Sequence, residues 1–214
     1  MSHGSTKRIC QLYAITPDDL TPEVLLRHIS QALKGNVRWI QYRNKGIQPD
    51  AAMQHVNELR QVVKQCHATG ARLIVNDHLE LALAIGADGV HMGETDGDLA
   101  DARAALGPSR ILGASCYNSL DCAERAIAAG ADYIAFGALF PSATKPQARH
   151  APLSLIQTAR QRWPNQLICG IGGITLDNAP LAKEAGADLL AVISDLFSAE
   201  DICARALAYE AALV

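Results

Sequence analysis

The fold of this chain can be predicted from a helix-to-strand junction in the stretch Gly86-Ala87-Asp88-Gly89-Val90-His91-Met92-Gly93. Its first three residues suit the end of a helix and the entry into a strand, because glycine readily adopts the left-handed conformation that closes helices. The apolar residues that follow predict a short buried strand. The same Gly-Ala-Asp tripeptide recurs at residues 130–132 and 186–188. A repeated helix-to-strand junction indicates a chain built from strand and helix units.

Outward from this junction, short apolar segments alternate with amphipathic segments along the whole chain. The amphipathic segments include residues 22–34 and 51–66, in which apolar side chains recur three and four residues apart, as on one face of a helix. The segments predicted as strands are residues 9–16, 37–44, 71–77, 88–93, 110–116, 132–139, 166–170 and 188–194.

Eight strand and helix units within 214 residues predict the α/β class and a single (β/α)8 TIM barrel. An open, doubly wound sheet is the alternative, but such sheets usually have fewer strands, and no G-x-G-x-x-G motif follows the first predicted strand. We expect residues 1–8 to form a flexible N-terminal tail and residues 9–214 to form the catalytic barrel domain.

Composition and charge exclude several classes of function. The formal net charge is -3, and the lysines and arginines are scattered, so the sequence predicts neither a nucleic-acid partner nor an anionic membrane partner. The 6 cysteines form no C-x-x-C pair, and they are expected to be reduced and mostly buried. No apolar run is long enough to span a bilayer, and no signal sequence is recognisable, which predicts a cytoplasmic protein.

Active sites of (β/α)8 barrels lie at the carboxyl ends of the strands, so the residues after each predicted strand are the candidates for chemistry. After the second strand, Gln41, Arg43 and Lys45 alternate and should face the barrel opening together, where an anionic ligand would satisfy them. After the third and fourth strands come Asp77 and Asp96. Two carboxylates from neighbouring loops suit Mg²⁺, although each aspartate could instead cap the helix that follows it.

Other strand ends offer weaker candidates. His91 lies within the fourth strand and is interpreted as a core histidine with a hydrogen-bond partner. Ser115, after the fifth strand, is interpreted as a residue that positions a ligand, because no histidine and aspartate relay accompanies it in the sequence.

Two loops suggest phosphate binding. Ser142, Thr144 and Lys145 follow the sixth strand between two prolines, and their hydroxyl and ammonium groups could hold a phosphate or a leaving pyrophosphate, or belong to an ordinary surface loop. The glycine cluster at residues 170–173 follows the seventh strand. Backbone amides after strands seven and eight often bind phosphate in (β/α)8 enzymes.

These motifs together resemble the thiamine-phosphate synthase family, and the resemblance covers almost the whole chain. They occur in order as Gln41-x-Arg43-x-Lys45, Asn76-Asp77, Gly89-Val90-His91-x-Gly93 with Asp96, Ser142-x-Thr144-Lys145 and Gly170-Ile171-Gly172-Gly173-Ile174. The resemblance implies a Mg²⁺-dependent transferase that joins a hydroxymethylpyrimidine diphosphate to a thiazole phosphate. The products would be thiamine phosphate and pyrophosphate, formed by a dissociative substitution.

The resemblance also implies a role for each matching residue. The metal ligands would be Asp77 and Asp96, and the catalytic cations that stabilise the departing charge would be Arg43, Lys45 and Lys145. The pyrimidine diphosphate would contact Gln41, Arg43, Lys45, Asn76, Ser115 and Lys145, and the thiazole phosphate would contact Ser142, Thr144, Gly173, Ile193 and Ser194. The substrate-binding segments would further include Tyr42, Asn44 and Ala143.

The chain departs from the family pattern at a few positions. Asn44 stands where the family usually has an acidic residue, and Ser142 stands where it usually has threonine, but neither change removes a proposed ligand. Residues 146–151 are less rich in glycine than in many relatives. Two alternatives stay open at this point, a thiazole tautomerase of the same superfamily and a noncatalytic phosphate-ligand sensor. A homodimer is expected only from the general habit of such enzymes.

Overall fold

The computed structural model of the protein describes residues 9–46, 55–141 and 149–214, and its sheet is a closed barrel of parallel strands in chain order. The predicted single (β/α)8 barrel is therefore confirmed, and the open sheet is excluded. The strands are β1 (Gln11–Ile15), β2 (Trp39–Tyr42), β3 (Arg72–Asn76), β4 (Gly89–Met92), β5 (Ile111–Tyr117), β6 (Tyr133–Gly137), β7 (Leu167–Ile171) and β8 (Leu189–Val192).

Helices alternate with these strands on the outside of the barrel. Within the described residues they are α1 (Pro22–Lys34), α2 (Val56–Ala68), α3 (Leu79–Ile85), α4 (Leu99–Leu106), α5 (Leu120–Ala128), α6 (Leu153–Arg162), α7 (Ala179–Glu184), α8 (Ser194–Phe197) and α9 (Ile202–Leu213). The helix predicted at residues 51–66 is confirmed from Val56 onward, and residues 51–54 lie outside the described part of the chain. In the described ranges, every helix is too short or too polar to cross a membrane.

Side chains alternate between the two surfaces of the barrel wall. On β1, Leu12 and Ala14 pack outward against the apolar faces of the helices, whereas Tyr13 and Ile15 belong to a separate interior cluster. This period of two is the ordinary geometry of a strand. It divides the protein into an outer core between sheet and helices and an inner core within the barrel.

Three aromatic rings fill the lower part of the inner core. Tyr13 lies with its ring centroid 5.7 Å from that of Trp39 and 5.9 Å from that of Tyr133, in edge-to-face geometry. Gly113 makes room for them, since a Cβ atom at this position would lie 2.1 Å from Cζ of Tyr133. Dense packing of this kind is required because the barrel interior is a packed core and not a pore.

The aspartates of the Gly-Ala-Asp repeats tie successive strands together at the amino end of the barrel. Asp88, Asp132 and Asp188 accept hydrogen bonds from the backbone amides of Leu73, Leu112 and Ile168, at 2.7, 2.7 and 2.8 Å. Each aspartate thus binds the strand that precedes it along the barrel. We call these three residues the strand-start carboxylates.

Each strand-start carboxylate also contacts a histidine or arginine on the helix that precedes the strand to which the carboxylate is bound. His67 contacts Asp88, Arg103 pairs with Asp132, and Arg160 pairs with Asp188. The two guanidinium groups also donate to backbone carbonyl oxygens, those of Gly107, Arg110 and Gly130 for Arg103 and those of Pro164, Gln166 and Gly186 for Arg160. Each copy of the Gly-Ala-Asp tripeptide therefore makes a similar set of polar contacts in the structure.

The cysteine prediction is confirmed. All 6 cysteines are free thiols, and Cys10, Cys66, Cys116 and Cys169 are buried. Burial raises the pKa of the Cys10, Cys66 and Cys116 thiols to about 12, which keeps them protonated and unreactive at neutral pH.

Replacing Arg160 with Met should lower the free energy of unfolding by about 3 kcal/mol, because it removes the guanidinium from a buried carboxylate. Arg103→Met should cost less, about 1 to 2 kcal/mol, because the Asp132 side chain is 47% exposed whereas that of Asp188 is 7% exposed. Urea unfolding of each variant measures its loss of unfolding free energy. The matched control is Arg162→Met, which breaks an exposed pair with Glu124. Equal losses for the Arg160 and Arg103 variants would contradict this dependence on burial.

Candidate active site

Arg43 is held in place at the carboxyl end of the barrel, which we call the mouth. Its guanidinium Nη1 lies 2.7 Å from Oδ2 of Asp18, and the other carboxylate oxygen of Asp18 accepts the backbone amide of Lys45 at 2.9 Å. Thr16 completes the arrangement, since its hydroxyl accepts the Arg43 amide and donates to the Arg43 carbonyl oxygen. A single carboxylate therefore fixes the side chain of one predicted cation and the backbone of the other.

Asp18 and Thr16 are site residues that the sequence analysis did not single out. Both follow β1, so the rule that led to the other strand ends would have found them. The charge of Asp18 explains how Arg43, whose side chain is only 15% exposed, is tolerated at the end of a buried strand.

Lys45 connects the second strand end to the third. Its ammonium Nζ lies 3.5 Å from Oδ2 of Asp77, the residue that follows β3. Asp77 has a positive φ of 64°, a conformation that aspartate adopts more readily than most residues. Lys45 and Asp77 follow neighbouring strands of the barrel, which brings the two side chains together.

Asp77 and Asp96 form a carboxylate pair, because a hydrogen bond with the neighbouring carboxyl is among the causes that shift the pKa of each. Burial and the hydrogen bond with Asp96 raise the pKa of Asp77. Burial alone would also raise the pKa of Asp96, but hydrogen bonds from Asp77 and from the Gly93 amide, together with the charge of Lys45, hold it below its ordinary value. The pKa values of the two carboxyl groups are therefore shifted in opposite directions, as is expected when two carboxyl groups interact closely.

The helix-capping interpretation of these aspartates is wrong. The N-cap of α3 is His78, and the N-cap of α4 is Asp98, whose side chain accepts the amides of Ala100 and Asp101. Neither Asp77 nor Asp96 satisfies a helix end. Within the part of the chain that the structure describes, no group of three or more His, Cys, Asp or Glu residues could hold a metal ion. The predicted metal ligands Asp77 and Asp96 form a group of two.

A continuous series of hydrogen bonds crosses the inner core below the mouth. The Gln41 amide Nε2 donates to Tyr13 Oη at 2.8 Å, and Tyr13 Oη lies 2.8 Å from Tyr133 Oη. Tyr133 Oη lies 2.9 Å from His91 Nδ1, and His91 Nε2 lies 2.8 Å from Ser115 Oγ. We call these five residues the central hydrogen-bond chain. Two predicted substrate-binding residues, Gln41 and Ser115, stand at its ends.

His91 is the core histidine with hydrogen-bond partners that the sequence predicted. Its ring stacks on Tyr133 with centroids 5.5 Å apart, and burial lowers the pKa of His91 to about 4. The imidazole is therefore neutral at physiological pH, so one ring nitrogen donates and the other accepts.

The end of β5 is irregular where Ser115 lies. The pairing of β5 with β6 shifts between Ser115 and Tyr117, which is the mark of a β-bulge. Tyr117 has a positive φ of 53°, and its hydroxyl accepts the amide of Glu94. Bulges commonly re-aim side chains beside active sites.

The glycines after β7 pack closely on the segment after β6. A Cβ atom on Gly172 would lie 2.5 Å from Cβ of Ala138, and one on Gly173 would lie 2.5 Å from the carbonyl oxygens of Phe140 and Pro141. Both residues have positive φ angles, 95° and 64°. After β8, Ile193 is the N-cap of the short helix α8, which begins at Ser194. The predicted phosphate-binding residues of these two loops therefore lie on neighbouring strand ends.

Two predicted site residues point away from the mouth, and four lie outside the described residues. Tyr42 belongs to the outer core because it alternates with Gln41, and Tyr42 and Asn44 line a small cavity beside Leu25 and Leu59 of the helical layer. The positions outside the described ranges are Ser142, Ala143, Thr144 and Lys145. Asn76 is buried at the end of β3, next to the carboxylate pair.

Comparison with known proteins bears on both the sequence and the fold. The sequence model of the family described as thiamine monophosphate synthase matches residues 12–196. A thiamine-phosphate synthase of Aromatoleum aromaticum is 53% identical over 202 residues, which cover 94% of this chain and 95% of that protein. One from an Azoarcus species is 50% identical over 205 residues, covering 96% and 98%.

Comparison with solved structures gives the same family and fold. A thiamine phosphate pyrophosphorylase from Pyrococcus furiosus has a TM-score of 0.81 and 33% identity, covering 95% of each chain. A 3-hexulose-6-phosphate synthase, at 18% identity and a TM-score of 0.69, shares the fold alone. The chain therefore belongs to the thiamine monophosphate synthase family.

Proposed function

We propose that the mouth of this barrel joins a hydroxymethylpyrimidine diphosphate to a thiazole phosphate, forming thiamine phosphate and releasing pyrophosphate. The chain is accordingly a transferase of thiamine biosynthesis, with the thiamine-phosphate synthase activity of its family. The observation that carries the proposed site is the meeting of Arg43, Lys45, Asp77 and Asp96 at one edge of the mouth.

The carboxylate pair suits Mg²⁺. Its oxygens are the hard ligands that this ion prefers, and Mg²⁺ commonly takes one or two protein carboxylates while phosphate and water complete its shell. The pKa of each carboxyl depends on the other carboxyl, which supports a site in which Asp77 and Asp96 together would hold one cation. Bound Mg²⁺ would neutralise charge on the diphosphate.

The protein's own cations would act on the same leaving group. Arg43 and Lys45 lie on the side of the mouth that holds the carboxylate pair, and Lys145 would approach from the loop after β6. Because Asp18 fixes Arg43 before substrate binds, little reorganisation is needed as negative charge develops on the departing pyrophosphate. Gln41, Asn76 and Ser115 would hold the pyrimidine ring or its diphosphate.

The thiazole phosphate would bind on the opposite side of the mouth. Its contacts would be the backbone at Gly173 and Ile193, with Ser194, and the hydroxyl groups of Ser142 and Thr144. The first amides of a helix have no partner within the helix, so those of α8 are available to a phosphate oxygen.

In the bond-changing step, the C–O bond to the diphosphate breaks, and the aminopyrimidine shares the positive charge left on carbon. The thiazole nitrogen then forms the new C–N bond. No protein nucleophile is needed, so the residues act by positioning the two substrates and stabilising charge. The thiazole tautomerase and the noncatalytic sensor are not favoured by the comparisons. A homodimer and a cytoplasmic location stay predictions from the sequence.

The direct test supplies both substrates to the purified protein, with Mg²⁺ or with EDTA in its place. Pyrophosphate and thiamine phosphate should form together in equal amounts, and chelation should abolish both because the leaving charge is no longer neutralised. Restoring Mg²⁺ should restore activity. A folded protein that binds thiazole phosphate but forms no product would support the tautomerase or the sensor instead.

Asp77→Asn and Lys145→Ala should each lower kcat by about 100-fold, because the first removes a proposed ligand of Mg²⁺ and the second removes a cation proposed to stabilise the departing pyrophosphate. Circular dichroism and urea unfolding should show little change in folding. The matched controls are Asp101→Asn and Lys64→Ala, which alter exposed helical residues of the same types. Wild-type turnover in both site variants would contradict the assignment.

Asp18→Asn should lower kcat/KM for the pyrimidine diphosphate by about tenfold, because the charged hydrogen bond that fixes Arg43 is weakened. The KM for thiazole phosphate should change much less, since Asp18 lies on the other side of the mouth. Asp19→Asn is the control for a neighbouring charge of the same type. If the two variants behave alike, Asp18 has no specific positioning role.

A further inference from the structure

The central hydrogen-bond chain has a direction that follows from its buried hydroxyl groups. Tyr13 and Tyr133 are 1% and 0% exposed, so a hydroxyl hydrogen left without an acceptor there would destabilise the protein. Tyr13 Oη receives the amide hydrogen of Gln41. Among the described residues, the remaining hydrogen-bond partner of Tyr13 Oη is the hydroxyl of Tyr133.

The donor of each following hydrogen bond in the chain can then be assigned. Tyr13 donates to Tyr133 Oη, so Tyr133 must direct its own hydrogen to His91 Nδ1. A neutral imidazole whose Nδ1 accepts carries its hydrogen on Nε2. His91 Nε2–H therefore donates to Ser115 Oγ. The opposite direction would leave the Tyr13 hydroxyl hydrogen facing the amide group of Gln41 with no acceptor.

We infer that His91 is a positioning residue whose Nε2–H holds the Ser115 oxygen, so that the Ser115 hydroxyl hydrogen is directed to an acceptor atom on the bound substrate. The Ser115 hydroxyl hydrogen is left available to that atom, because the hydrogen bond with His91 uses the Ser115 oxygen as the acceptor. The site thereby selects a substrate that presents a hydrogen-bond acceptor, such as a ring nitrogen or a phosphate oxygen, beside β5. The role of Ser115 toward substrate rests on the proposed function, whereas the tautomer of His91 does not.

The direction of the chain also links its two ends. Gln41 donates into the chain at one end, and Ser115 is left as a donor to substrate at the other. Were the group at position 41 only an acceptor, Tyr13 would donate to it, and every later hydrogen bond would reverse. Ser115 would then donate to His91 Nε2 and could no longer donate to a ligand. Such reversal along connected hydrogen bonds is the cooperative behaviour expected of a buried polar network.

The decisive measurement is the ¹⁵N spectrum of the histidine rings in the full-length protein without substrate. Protonated and unprotonated ring nitrogens resonate in separate regions, and the His91 signals are those lost in His91→Gln. We expect a protonated Nε2 and an unprotonated Nδ1. A protonated Nδ1 would overturn the inference, whatever the outcome of the activity assay.

Gln41→Glu tests the linkage between the two ends, because a carboxylate can only accept. In samples whose introduced carboxylate is shown to be ionised by its ¹³C signal, the hydrogen of His91 should move from Nε2 to Nδ1. The matched control is Gln11→Glu, since the Gln11 side chain already accepts from Trp39 Nε1 at the other end of the inner core. This control should leave the His91 tautomer unchanged. An identical tautomer in wild type and Gln41→Glu would refute the linkage.

A kinetic double-mutant cycle tests whether the chain acts through Ser115. Tyr133→Phe removes the donor to His91 Nδ1 and should lower kcat/KM for the pyrimidine diphosphate by about tenfold, the size of one net hydrogen bond. In a Ser115→Ala background the same change should cost less than about twofold, because the residue through which it acts is gone. Equal losses in the two backgrounds would show that Tyr133 does not act through Ser115.

Discussion

A closed barrel of eight strands has an interior that only side chains can fill, and every polar atom placed there needs a hydrogen-bond partner. In this chain the constraint is met by aromatic rings that carry hydroxyl groups. Tyr13 and Tyr133 fill the lower interior with their rings, while their hydroxyls meet each other and continue to Gln41 and His91. Packing and polar satisfaction are thus achieved by the same side chains. The orientation of Gln41 and Ser115 at the mouth follows from this arrangement.

The two ends of the barrel have different kinds of polar residue. At the amino end, the strand-start carboxylates contact histidine or arginine side chains and accept hydrogen bonds from backbone amides, and a cavity of about 880 Å³ lies among them. These contacts join strands to helices and therefore stabilise the fold. At the mouth, by contrast, Asp77 and Asp96 lie beside each other and shift each other's pKa. This division agrees with the general placement of chemistry at the carboxyl ends of barrel strands.

Asp18 shows how a site depends on residues that never need to touch the substrate. Its two oxygens fix the Arg43 guanidinium and the Lys45 backbone, so one cation and the attachment point of a second are positioned before any anion binds. His91 acts in a comparable way below the mouth, since it engages the oxygen of Ser115. Both are buried or half-buried charged or polar groups whose partners lie on other strands. Their roles are therefore set by the spacing of the strands around the barrel.

The sequence by itself determined the architecture and the strand ends at which the site lies. Apolar periodicity, the count of strand segments and the recurring Gly-Ala-Asp junctions depend on local geometry, which neighbouring residues specify. The motifs at the strand ends are also short runs of neighbouring residues, and they indicated the family. Only the tertiary structure decided that His78 and Asp98 rather than Asp77 and Asp96 cap their helices, and that Asp18 holds Arg43. The central hydrogen-bond chain joins residues up to 120 positions apart. Such contacts follow from the closure of the barrel, and no local pattern in the sequence encodes them.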